Sequence, residues 1–151
     1  MDAAEFSSRR QRAGMTQSQL AIACGIAQPH ISAYESGGRT ITPDVANRVE
    51  AATRQRPTVL LRRYRNEIRD LVSAHRGSNV RVFGSAARGI DTLDSDLDLL
   101  VTFLPDTHLG EVGVLMSELS DLLGIDVDVV SEGALVDDRF SRRVLSDAVP
   151  L

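Results

Sequence analysis

Residues 82–101, Val-Phe-Gly-Ser-Ala-Ala-Arg-Gly-Ile-Asp-Thr-Leu-Asp-Ser-Asp-Leu-Asp-Leu-Leu-Val, admit few folds. Residues 79–83 and 97–103 are rich in Val, Leu and Phe, the composition of strands, while Gly84-Ser85 and Arg88-Gly89 punctuate the chain between them. Side chains alternate along a strand, so Asp96 and Asp98 leave the same face. A glycine-bearing turn that opens a helix presents backbone N–H groups to an anion, which assigns Gly84 and Ser85 to a triphosphate. Arg88 is a weaker candidate for phosphate contact. Paired carboxylates with phosphate oxygens and water are the ligand set of Mg²⁺, and two such ions can clamp the attacking and leaving oxygens of an in-line displacement. The expected reaction is therefore phosphoryl transfer, with Asp96 and Asp98 as metal ligands.

A third carboxylate is expected from a neighbouring strand. Residues 125–130, Ile-Asp-Val-Asp-Val-Val, form the other acid-bearing strand pattern downstream. Asp128 precedes the Val-Val pair and is the preferred candidate, either as a metal ligand or as the base that takes a proton from an incoming hydroxyl. Asp126, beside Gly124 at the strand mouth, is the alternative.

Gly84-Ser85, ten intervening residues, Asp96-Leu97-Asp98 and then Val127-Asp128-Val129 together resemble the minimal nucleotidyltransferases of the polymerase-beta superfamily. The resemblance covers about residues 58 to 151 and implies Mg²⁺, two ions, with ATP as co-substrate. It implies catalytic and metal-binding roles for Asp96, Asp98 and Asp128, and nucleotide-binding roles for Gly84, Ser85 and Arg88.

A second pattern opens the chain. Thr16 with Gln19 three residues later forms a capping box, Leu20, Ala21 and Cys24 mark an apolar face, and Gly25 ends the helix. Residues 27–35 make a second short helix with Pro29 in its first turn, stopped by Ser36-Gly37-Gly38. Two short helices about a glycine turn, with Thr16-Gln17, Leu20-Ala21, Ile31-Ser32 and Tyr34-Glu35, resemble the helix-turn-helix of phage repressors and XRE-like regulators over about residues 3 to 54. The resemblance implies base contacts from Gln28, Pro29, His30 and Ala33, a phosphate contact from Gln17, and a homodimer on operator DNA. Ala27 departs from the Ser or Thr common at that cap.

Charge divides the chain in the same way. Residues 1–77 carry twelve Arg against seven acids, and residues 78–151 five Arg against fourteen acids. A basic front half suits DNA and an acidic back half suits divalent cations. All seventeen basic residues are Arg, whose planar fork binds phosphate in bidentate fashion. Cys24, the single cysteine, falls at an apolar helix position, is expected to be a buried small hydrophobe, and can form no internal disulfide. No apolar run reaches the length of a membrane span and no signal peptide is evident, so the expected location is cytoplasmic, without membrane association.

Polar residues 53–58, with Pro57, set the expected division: a helix-turn-helix domain over 1–56 and a nucleotidyltransferase domain over 57–151. The expected fold class is α+β, an all-α front domain followed by a small α/β domain with a mixed sheet. A continuous helix is predicted from the stripe Leu61, Tyr64, Ile68, Leu71, Val72 and His75. Another is predicted from Val112, Leu115, Met116, Leu119, Leu122 and Leu123, capped by Gly124. Transferases of this superfamily that act on antibiotics or polynucleotides usually add an acceptor-binding domain, and fewer than a hundred residues leave little room for one. The resemblance therefore implies an antitoxin that binds its operator and modifies a HEPN-type toxin protein. The alternative is a DNA-binding regulator whose transferase-like half senses nucleotide or binds a partner without catalysis.

Overall fold

The computed structural model describes residues 1–151, which form two compact units, one over 1–55 and one over 56–151. The division falls one residue before the expected boundary.

The first unit is helical: α1 (Ala3–Arg12), α2 (Gln17–Cys24), α3 (Gln28–Glu35) and α4 (Pro43–Thr53). Each start has a local cause. Asp2 accepts from the Glu5 amide at the head of α1, and Thr42 caps α4, whose first residue is Pro43. Thr16 and Gln19 close a reciprocal capping box on α2. Gly25 ends α2 at φ 61°, a left-handed conformation that favours glycine. Ala27 supplies no side-chain cap to α3. Phe6, Leu20, Ile31 and Val49 are fully buried between the helices, with the Phe6 and Tyr34 rings 5.5 Å apart.

A polar bridge ties α1 to α3. Arg10 donates to Glu35 at 2.5 Å and to the Met15 carbonyl at 2.7 Å, while Gln17 donates to Glu35 at 2.9 Å. Burial raises the Glu35 pKa, but the hydrogen bonds from Arg10 and Gln17 and the Arg10 charge more than offset it, so the carboxyl sits below its ordinary value. The stability this gives is fully present above the ordinary carboxylate pKa of about 4.5 and is lost as pH falls through the lowered value. Glu35→Ala leaves Arg10 and Gln17 without their acceptor and is expected to destabilise the helical unit by about 1–3 kcal/mol. Urea denaturation followed by circular dichroism should show that gap at pH 7 and its narrowing in acid. An unchanged helical transition at pH 7 would refute the assignment.

The second unit contains α5 (Pro57–Arg63), α6 (Arg65–Ala74), β1 (Gly77–Phe83), α7 (Gly84–Arg88), β2 (Leu97–Phe103), α8 (Leu109–Leu123), β3 (Val127–Ser131), a 3-10 turn at Glu132–Ala134, α9 (Arg139–Asp147) and β4 (Val149–Pro150). The sheet order is β3-β2-β1-β4, with β2 and β3 parallel and β1 antiparallel to both β2 and β4. This is the mixed sheet of the expected α+β class. Alternation assigns the two faces. Val82, Leu97, Leu99, Val101 and Val127 pack with Leu60, Ile68, Val72, Leu115 and Leu119 of α5, α6 and α8. Phe83 and Leu100 pack with Val144 of α9 on the opposite face.

Three features differ from the spacing-based reading. The continuous helix is two, broken at Tyr64 (φ −105°, ψ 20°), with α5 held at its own start. There the buried Asp91 carboxylate accepts from the Thr58 amide at 2.9 Å and its hydroxyl at 3.0 Å. The first strand begins at Gly77 rather than at residue 79, with a register shift around Asn79, whose φ is 50°. Finally, β4 pairs along the outer edge of β1, an element too short to carry its own pattern.

Candidate active site and DNA-facing helix

Strand register gathers the acidic site. Asp98 is the pairing partner of Phe83 across β1 and of Asp128 across β3, which places it in the middle of three adjacent strands. Asp96 stands immediately before β2 with the parity of Asp98, so both belong to the face that carries α9. Asp128 shares that face; it and Asp96 are exposed, whereas Asp98 is half-buried. Asp126 lies before β3, where its carbonyl accepts from the Leu97 amide. Asp128, not Asp126, is thus the cross-strand partner of Asp98.

The electrostatics follow from this packing. Burial pushes the Asp98 pKa up, the Asp128 and Asp96 carboxylates push it further, and Arg88 opposes them. Asp98 is a carboxylate short of positive charge. No three acidic, histidine or cysteine side chains are drawn together into a ready-made metal cage. Mg²⁺ takes one or two carboxylates and completes its shell with phosphate and water, a set that does not need three protein ligands together.

Gly84 follows β1 at φ 72°, and a Cβ there would overlap an Asp98 carboxylate oxygen. Glycine is required twice at this position, by backbone conformation and by the approach of the carboxylate. The next residue, half-buried Ser85, lies in the first turn of α7, which no side chain caps. Arg88, at the end of α7, donates to Asp147 of α9 at 3.0 Å. Asp147 escaped the sequence reading because it lies 59 residues from Arg88, with no local pattern to mark it.

In the first unit, Gln28, Pro29 and His30 are exposed at the start of α3, and Ala33 is half-buried one turn on. Gln28 donates to the Gln17 side-chain oxygen at 2.8 Å, and Gln17 in turn donates to Glu35. The two glutamines assigned to base and to phosphate are therefore joined to each other and anchored to the Arg10–Glu35 pair. Short-range spacing showed where these residues stand but not that they form one network.

Comparison with known proteins agrees with both halves. A family model described as helix-turn-helix matches residues 7–60, and one described as nucleotidyltransferase domain matches residues 61–151. The chain belongs to the nucleotidyltransferase-domain family, here with a helix-turn-helix domain of XRE type in front. Two relatives from Methanocaldococcus jannaschii both carry the name "Putative protein adenylyltransferase". One is 33% identical over 92 residues, covering 56% of this chain and 94% of its own. The other is 27% identical over 90 residues, covering 60% and 89%. A solved structure described as "Structure of putative minimal nucleotidyltransferase" is 44% identical and covers 62% of this chain and 95% of its own, with a TM-score of 0.56. Another, described as "Crystal structure of the toxin-antitoxin with AMP-PNP", shares the fold at 22% identity and a TM-score of 0.51, covering 56% of this chain and 69% of its own. No helix is long and apolar enough to cross a membrane.

Proposed function

We propose that this chain is an antitoxin that binds its own operator and transfers AMP from ATP to a hydroxyl of a partner toxin protein. The observation that carries the transferase reading is the convergence of Gly84, Asp98 and Asp128 at one end of three adjacent strands. The adenylyltransferase names of the relatives support the choice of AMP, and the helix-turn-helix supports an operator.

In this reading Asp96 and Asp98, with Asp128 as either the third ligand or the base, hold Mg²⁺, two ions in the full complement, while Ser85, the amides that follow Gly84, and Arg88 hold the triphosphate. Bound Mg²⁺ would neutralise charge on the phosphates and on the departing pyrophosphate. The acceptor oxygen bonds to the α-phosphorus, the α–β bridging bond breaks, and pyrophosphate leaves with the bonding electrons. Asp128, exposed beside Asp98, can take the hydroxyl proton. ATP labelled at the α-phosphate, incubated with this chain, Mg²⁺ and the protein encoded by the adjacent reading frame, should label that protein. Absence of label with ATP bound would leave a nucleotide-sensing regulator instead.

On DNA, a homodimer is expected to place its two α3 helices in half-sites about 10 to 10.5 base pairs apart. Gln28→Ala should reduce preference for the operator over scrambled duplex, since a bidentate glutamine–adenine contact discriminates by about 1–3 kcal/mol. Gln17→Ala should weaken both complexes, because it removes a phosphate contact and the anchor of Gln28 together. Gel-shift titrations decide the point, and equal operator preference in wild type and Gln28→Ala would remove α3 from base readout.

A further inference from the structure

We infer that Asp147 is a positioning residue for the nucleotide site: it holds Arg88 at the end of the short helix that Gly84 opens against Asp98. The inference rests on the nucleotide reading above. Arg88 closes the single turn of α7 that Gly84 opens. A Cβ at Gly84 would overlap the Asp98 carboxylate, so this turn begins against the acid. Arg88 therefore stands one helical turn from the point where the phosphate-binding turn meets Asp98.

A long exposed arginine would sample many rotamers. Arg88 is 46% exposed, yet its guanidinium is held at 3.0 Å by Asp147, whose own side chain is only 20% exposed. Asp147 is the last residue of α9, which is anchored by Val144 against Phe83 and Leu100. The link therefore runs from the sheet through α9 to the guanidinium. Arg88 keeps further N–H donors for a phosphate while Asp147 engages one of them. Immobilising the side chain before the nucleotide arrives removes an ordering cost from binding.

The test is calorimetric titration of ATP with Mg²⁺ into the full chain, with thermal melting in parallel. Asp147→Asn should weaken ATP binding about two- to tenfold, the effect of freeing one rotamer-rich side chain. Asp147→Glu should recover most of the loss. The charge-swapped pair Arg88→Asp with Asp147→Arg separates positioning from simple stability: it should recover the melting temperature, because the ion pair is restored, but not the ATP affinity, because the guanidinium now stands on α9. If Asp147→Asn binds ATP as wild type does, or if the swapped pair recovers affinity together with stability, the inference is overturned. Failure of wild type to bind ATP at all would instead remove the nucleotide reading on which it rests.

Discussion

Asp98→Asn is expected to abolish most nucleotidyl transfer and at the same time to raise the melting temperature of the metal-free protein. The two effects have one origin. Asp98 is half-buried, with Asp128 opposite it on β3 and Asp96 two residues before it, and all these factors disfavour its charged form. An amide of the same shape removes a crowded negative charge and relieves the fold. The same charge is what a cation at this site would need, and removing an electrostatic contributor of this kind typically costs about 10² to 10³ in rate. Label transfer from ATP and thermal melting, measured on the same preparations, check both halves. A variant that loses transfer only by unfolding, with a lowered melting temperature, would contradict the assignment.

Gly84→Ala is expected to be as damaging to transfer, by geometry instead of charge. A left-handed backbone costs a residue with a Cβ about 1–2 kcal/mol, and here the added methyl also displaces the Asp98 carboxylate. Misplacing a reacting group by about 1 Å can cost about 10²-fold in rate. Gly89 provides the control. It has nearly the same conformation, φ 71° against 72°, but a Cβ there meets nothing within 4 Å. Gly89→Ala should thus lose stability to strain and keep transfer, whereas Gly84→Ala should lose both. Equal activity in the two variants, assayed by label transfer below their melting temperatures, would separate Gly84 from the site.

Much of this was legible wherever function rests on short-range periodicity. Two-residue alternation fixed the common face of Asp96 and Asp98, and the capping box at Thr16 and the glycines at 25 and 124 marked helix ends that the structure places there. What stayed hidden was set by contacts distant in sequence. The stripe from Leu61 to Val72 has unbroken helical spacing, and nothing in it marks the break at Tyr64 or the distant Asp91 carboxylate that holds the start of α5. Arg88 could be read as a weaker phosphate candidate but not as a held one, because its partner Asp147 arrives on another helix. The anchoring of Gln17 by Glu35 was likewise invisible, since it joins α2 to α3 through an arginine of α1.

Calorimetric titration of ATP into the full chain, with Mg²⁺ and with Mg²⁺ chelated, in wild type and Asp98→Asn, tests the central claim most directly. The site described here predicts saturable binding by wild type with Mg²⁺, little or none without it, and a large loss of the Mg²⁺-dependent part in Asp98→Asn. Binding that ignores both Mg²⁺ and the loss of the Asp98 carboxylate would contradict it.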